Sequence, residues 1–477
     1  MTPSRLGVWA LVAACVLLRL TPPWEINHDC GWLLFAASRF LAGDALYSEL
    51  IEINPPLIIY LNVPPAALAS FTGLSVGAAL NLWVASLLGL SLFLTSRIVR
   101  VGDFVRLMNP IALAAVAFVL VVLVGRDFGQ REHLMMILTL PYFAVVGQRV
   151  AGGDVRSKQA LGAGLLAAVG FSLKPYFLLA PVLVRIGTAL WQRKLFDTRR
   201  SENEGLVLGV VVYAAHFFVV PFQSDFAANV ELTLEVYGSF KVSFVELLSK
   251  PWTIEALVVI VVLSVAAIFA GSIRTSIWVL ILAQLGFLGS AFWQGKGWMY
   301  HLFPALACGY LGLVVLVFGA GARWLRGVFV VVCLCYVALP IGQHWLQREP
   351  ELAFADAFTG IPPELDAVRE LRPGDTLLVV DTDIHTFFAW MVDHEIGWGS
   401  RYACLWPLPG GSSERREDLR RIVLEDIVKH KPNLVFVRKG RPSFIDDEFE
   451  ISDWLRADWT GYEEQESTLN FRTWRRR

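Results

Sequence analysis

The chain is short of charge. Only 17% of its 477 residues are Asp, Glu, Lys or Arg, against about a quarter in ordinary soluble domains, which excludes a typical water-soluble enzyme. It also lacks a charge imbalance, and a net charge of -1 offers no basic surface to nucleic acid. Its six cysteines do not make a disulfide framework. Cys15, Cys308, Cys333 and Cys335 lie in apolar runs, and Cys333 and Cys335 have no partner ligands for zinc. Cys30 and Cys404 remain as one pair that a shared side of a membrane would bring together. No internal repeat or low-complexity tract is present. No small-residue cleavage site follows the first apolar run, which therefore reads as an uncleaved anchor.

Hydrophobic sequence is what the chain has in excess: 55% of residues, with a mean hydropathy of +0.54. Runs approaching the ~20 residues that cross a bilayer occur at 6–21, 78–98, 108–125, 133–149, 159–173, 175–191, 205–221, 254–272, 275–293, 299–318 and 325–342. The apolar segment 56–71 is short and contains Pro56, Pro64, Pro65 and Asn62, so an interfacial element is expected there. With that segment not crossing, the loops carrying Arg97, Arg149, Arg156, Lys158, Arg193 and Lys194 all fall on the side of Arg5. Cytoplasmic loops are enriched in Lys and Arg. The expected fold is an all-α polytopic membrane domain over 1–342, with about eleven transmembrane helices and a cytoplasmic N-terminus. A soluble external α/β domain follows over 343–477, with strands at 376–381 and 433–438 and a charged helix near Ser413–His430.

Polar residues gather in the first external loop, which carries His28, Asp29, Arg39, Asp44, Glu49, Glu52 and Asn54. Ionisable groups near lipid are costly unless they serve a pathway or a reaction, so a membrane enzyme is expected, with its chemistry in this loop. The pattern Tyr47-x-x-x-x-Glu52-x-Asn54-Pro55-Pro56-Leu57-x-x-Tyr60 is followed by the turn from Arg126 through Arg131-Glu132-His133, then Leu173-Lys174-Pro175, then Tyr300-His301-Leu302-Phe303-Pro304. In order and sidedness these motifs resemble the GT-C superfamily of polyprenyl-phosphate-dependent glycosyltransferases, which includes protein O-mannosyltransferases and lipid A aminoarabinose transferases. The likeness covers about residues 1–340. It implies an active-site carboxylate in the first loop, a Pro-Pro-Leu segment along the membrane surface, a polyprenyl-phosphate sugar donor and a cell-envelope glycan, lipid or protein acceptor. It also implies residence in a bacterial inner membrane. The chain departs from the pattern in having Asn54 where many relatives have Lys, and no Asp-x-Asp or Asp-Glu pair in the first loop. Arg and Lys, rather than a divalent metal, are therefore expected to offset phosphate charge.

Such a transfer needs a base for the acceptor hydroxyl, positive charge for the departing phosphate and a dry pocket. Asp29 is the candidate base, and its alternative role is the N-cap of a helix over 30–41. His28 is a solvated loop residue or a substrate ligand. Glu52 and Asn54 share a side if the piece is extended, and either bind sugar hydroxyls or end a turn. Arg126, Arg131 and Glu132 form a solvated turn or a bidentate phosphate site. Lys174 either snorkels to headgroups or neutralises phosphate. Lys296, Tyr300 and His301 adjoin an aromatic belt, which places His301 near a donor phosphate. His216 reads as a packing histidine, and Asp381-Thr382-Asp383 as a strand-end turn rather than a metal-binding pair. The competing class, a polytopic transporter or lipid-linked-sugar flippase, predicts charges near mid-bilayer and repeated halves. Neither is visible here.

Overall fold

The computed structural model describes residues 26–99, 110–193, 200–270, 273–319, 361–440, 445, 449–455 and 457–477. Its helices are α1 (His28–Leu41), α2 (Leu57–Thr72), α3 (Val76–Ile98), α4 (Pro110–Val121), α5 (Arg131–Val150), α6 (Ser157–Phe171), α7 (Leu179–Gln192) and α8 (Ser201–His216). They continue with α9 (Gln223–Val236), α10 (Phe244–Ser249), α11 (Pro251–Phe269), α12 (Arg274–Gln294) and α13 (Met299–Gly319). The C-terminal segment adds β1 (Thr376–Val380), α14 (Phe388–Asp393), β2 (Gly397–Trp398), α15 (Ser413–His430), β3 (Leu434–Arg438), α16 (Ile451–Trp454), β4 (Tyr462–Glu464) and β5 (Phe471–Arg476). The chain forms two units, one within 81–219 and 242–348, the other within 25–80, 220–241 and 349–477.

The first unit is helical. Helices α3, α5, α11, α12 and α13 are each long and apolar enough to cross a membrane. Only 28% of the most apolar stretch of α11 is buried, and Ile254, Val258, Val261, Val265 and Ile268 lie exposed along it. So continuous an apolar face is unfavourable in water, and the chain reads as a membrane protein. The expected eleven spans are not all seen. Helices α4, α6, α7 and α8 are 12 to 16 residues long; Lys174-Pro175 follows the end of α6, and left-handed Arg193 ends α7. The runs 6–21 and 325–342 lie outside the described residues. Helices α6 and α8 pack with almost no gap. A methyl group at Gly164 would lie 2.1 Å from the Glu202 carbonyl oxygen, and one at Gly205 2.3 Å from that of Leu161. Small residues permit this backbone approach between helices. Glu202, fully buried, faces Arg149 Nε at 3.1 Å.

The second unit joins the first loop to the C-terminal segment. Its sheet has the order β2-β1-β3-β5-β4, parallel across β2, β1 and β3 and antiparallel beyond. Leu377 to Val380 on β1 are all buried and register with Leu434 to Val437 on β3, as a central strand covered on both faces requires. Helix α15 spans the range the sequence predicts. Ser412 caps it by accepting from the Arg415 amide at 3.2 Å, and left-handed Lys431 ends it. Helix α1 packs on α14 through Trp32, Phe35 and Phe388, with ring centroids 5.1 and 5.5 Å from that of Phe388. At Gly31 the two helices lie in close contact, a methyl group there meeting the Ala389 amide nitrogen at an ordinary 3.5 Å.

Candidate functional site

In the first unit, a buried polar cluster forms where α5 and α13 begin and α12 ends. Before α5 the chain turns through Gly125 and Gly129, both at positive φ, where L side chains are strained. His133 locks this turn. Its Nδ1 accepts from the Gly129 amide at 3.0 Å, and its Nε2 lies 2.5 Å from the Leu120 carbonyl, which places the ring proton on Nε2. Arg131 and Glu132, in the first turn of α5, are then both buried. Arg126 remains exposed on the preceding turn and does not join them.

Lys174 stands extended before the Pro175 turn. Its Nζ donates to Glu132 Oε1 at 2.5 Å and to Gln294 Oε1 at 3.2 Å, and lies 5.7 Å from the Tyr300 ring centroid. Helix α12 ends at Gln294, and the next three residues, Gly295-Lys296-Gly297, turn with both glycines at positive φ. A methyl group on Gly297 would meet Lys250 Cε at 3.2 Å. The turn leaves Lys296 buried, its Nζ 4.7 Å over Trp298. His301, at the start of α13, has Nε2 at 3.9 Å from Glu132 Oε1 and feels the charges of Lys174, Lys296 and Arg131. Glu132 Oε2 and His301 Nδ1 are buried with no hydrogen-bond partner among the described residues. Arg131, Lys174 and Lys296 are thus all buried and all act on His301 beside Glu132, a concentration of donors suited to an anion. About 12 Å further along α5, at 1.5 Å per residue, Leu140 and Phe143 line an apolar cavity with Leu92, Leu280, Leu311 and Val315.

The second unit holds the loop residues. Helix α1 begins at His28, and its N-cap is Asn27, whose side chain accepts from the Asp29 amide at 2.8 Å. The capping role expected of Asp29 is therefore corrected. Asp29 is a first-turn residue, 15% exposed at its side chain, with His28 Nε2 at 3.3 Å from its Oδ1. Glu52 and Asn54 do not run extended. Glu52 Oε2 accepts from Trp32 Nε1 at 2.6 Å, and its Oε1 accepts from the Asn54 amide at 3.0 Å and from the Asn54 side chain. Tyr47 Oη donates to the Asn54 carbonyl at 2.7 Å, and Asn229 Nδ2 to that of Glu52 at 2.5 Å. Both oxygens of Glu52 are thus engaged in tying a turn to α1.

The first-loop candidates lie in the second unit, while Arg126, Arg131, Glu132, Lys174, Lys296, Tyr300 and His301 lie in the first. Sequence reasoning passed over Gln294, Trp32 and Asn27. Gln294 was signalled only by being the last polar residue of an apolar run, and Asn27 by being one of two capping residue types two positions apart. Cys30 and Cys404 are both buried, and no disulfide joins them. Among the described residues, no group of three His, Cys, Asp or Glu is placed to hold a metal ion. Compared with known proteins, the chain matches no family model and no curated protein.

Proposed function

We propose that this protein is an integral membrane glycosyltransferase that moves a sugar from a polyprenyl-phosphate carrier to a hydroxyl of a cell-envelope acceptor on the external face. The observation that carries this reading is the burial of Arg131, Lys174 and Lys296 together with Glu132 at the start of α5 and α13 and the end of α12. Preorganised cations held in a buried site stabilise a departing phosphate without reorganising. Arg131 supplies a planar two-donor fork and Lys174 a point charge. The apolar cavity along α5, α12 and α13 suits the hydrocarbon part of such a carrier. Asn27, rather than Asp29, caps α1, and a carboxylate such as that of Asp29 has the chemistry to take the proton of an acceptor hydroxyl.

Sidedness draws support from the second unit. An even number of crossings within 81–219 and again within 242–348 would put the three stretches of the second unit on one side of a bilayer. The six apolar runs between 78 and 221, and the four between 254 and 342, meet that condition, and the basic loops fall on the opposite side. The test is a screen of purified protein with polyprenyl-phosphate sugars, read by release of polyprenyl phosphate. Sugar-dependent release with a glycosylated product supports the transferase. Movement of the intact lipid-linked sugar across vesicles, without release, would identify a flippase instead.

A further inference from the structure

The second unit has a polar corner that the transfer chemistry above does not use. Its sheet order places β1 between β2 and β3, with β2 and β3 reached from opposite sides of β1. In open α/β sheets, ligands bind outside the carboxyl ends of the strands at such a switch point. Asp381 and Thr382 follow β1, and Arg438 ends β3. Asp381 is 1% exposed. Its Oδ1 accepts from the Thr382 amide at 2.7 Å, and its Oδ2 lies 3.5 Å from both Arg438 Nη1 and His385 Nε2. Phe387 stacks on His385 at 5.3 Å, and Arg438 lies 5.4 Å over Phe471, so aromatic rings fix both side chains.

Three polar atoms in this corner are buried with no hydrogen-bond partner among the described residues: Thr382 Oγ1, His385 Nε2, which has only the long 3.5 Å contact to Asp381, and Arg438 Nε. Thr382 is 5% exposed and the His385 side chain 10%. Leaving buried polar atoms unpaired is costly, and three such atoms around one carboxylate mark a place where a ligand completes the bonding. A ligand there accepts from Arg438 Nε and meets Thr382 Oγ1 between the Asp381 carboxylate, which disfavours an anion, and the Arg438 guanidinium, which disfavours a cation. Phosphate presents acceptors to a carboxylate, and an ammonium presents donors to a guanidinium. Adjacent hydroxyls satisfy both.

We infer that Asp381, Thr382, His385 and Arg438 form a binding site for a neutral glycan, recognised through vicinal hydroxyls. Its use as an acceptor site rests on the transferase reading; the binding itself does not. Helix α1, which carries Asp29, packs on the segment just after His385, with Gly31 3.6 Å from the Thr386 carbonyl oxygen when given a methyl group.

The experiment uses the full chain in lipid nanodiscs without donor. The probes are methyl mannopyranoside, methyl glucopyranoside, methyl galactopyranoside and methyl arabinofuranoside, read by saturation-transfer NMR, with inorganic phosphate and methylammonium as competitors. At least one glycoside should bind without competition from either ion. Thr382→Val and His385→Phe should each weaken it about ten-fold, the equivalent of one hydrogen bond. Thr382→Val should unfold at the wild-type temperature or above, since the lost hydroxyl has no partner to abandon. Absence of glycoside binding, equal binding by both variants, displacement by phosphate or a lower unfolding temperature for Thr382→Val would each overturn the site. Glycoside binding together with failure of every donor in the release assay would keep the glycan site and remove the transferase reading.

Discussion

Lys174 Nζ lies 2.5 Å from Glu132 Oε1, yet the other oxygen of that buried carboxylate has no hydrogen-bond partner among the described residues. A buried pair of this kind contributes less through its own attraction than through the penalty of breaking it. Glu132→Gln and Lys174→Met should each destabilise the folded protein by about 3–5 kcal/mol. The double variant should recover much of the loss. Thermal unfolding in detergent measures all three, and additive losses would show that the pair is not coupled.

Arg131 tests how donor phosphate is held. Arg131→Ala should weaken donor binding or slow transfer by about 2–5 kcal/mol, as commonly follows loss of one desolvated charge partner. Arg131→Lys should recover only part, since an ammonium lacks the planar fork. Full activity in the alanine variant would remove Arg131 from the phosphate site.

At α1, capping and catalysis separate cleanly. Asn27→Ala removes the acceptor for the Asp29 amide and should cost about 1 kcal/mol of stability while transfer survives. Asp29→Asn should fold normally and lose transfer, because an amide cannot take the acceptor's proton. Near-wild-type turnover by Asp29→Asn would exclude it as the base.

Cys404 gives a pH dependence. Burial pushes its thiol well above the ordinary range, and the carboxylates of Asp381, Asp383 and Asp29 add to the shift. Below about pH 8.5 the thiol is protonated in both folded and unfolded states. Above that only the unfolded thiol ionises, so the unfolded state binds fewer protons and stability falls as pH rises. Wild type should lose stability between pH 8.5 and 10 relative to Cys404→Ala, as read by denaturant unfolding. Parallel curves would show that the thiol ionises equally in both states.

Topology can be read by labelling. Ser48→Cys and Glu414→Cys are exposed positions in the second unit, and Lys158→Cys is an exposed position in a basic loop of the first. An impermeant maleimide added outside intact cells should label the first two and not the third, above the background of the unsubstituted chain. Labelling of Ser48→Cys alone would contradict the shared side.

Two strands of the C-terminal sheet and one helix were legible, while β2 and β4 are too short to carry a pattern. The buried run of β1, the charged amphipathic α15 with its serine cap, and β3 carry local patterns that need no partner to be read. Strand β5 was not, since its sequence Phe-Arg-Thr-Trp-Arg-Arg alternates only over its first residues and ends in charge. The candidate residues at the ends of α5, α12 and α13 were visible one by one as costly charges near lipid. Their partners were not. Lys174 meets Glu132 across 42 positions and Gln294 across 120, separations on which no local periodicity bears.

The second unit is assembled from three stretches separated by the helices of the first. Contacts such as Val76 with Asp393, a 2.7 Å hydrogen bond across 317 positions, join its earliest and latest parts. During synthesis, α1 emerges long before α14 and the sheet exist, and the faces of Trp32 and Phe35 wait without Phe388 for most of translation. Non-local closure of this kind is slow and exposes apolar surface meanwhile. A premature stop upstream of β1 therefore harms the early part of the protein as well as its end: it leaves the Trp32 and Phe35 face of α1 without Phe388 and presents it to quality control as unfinished.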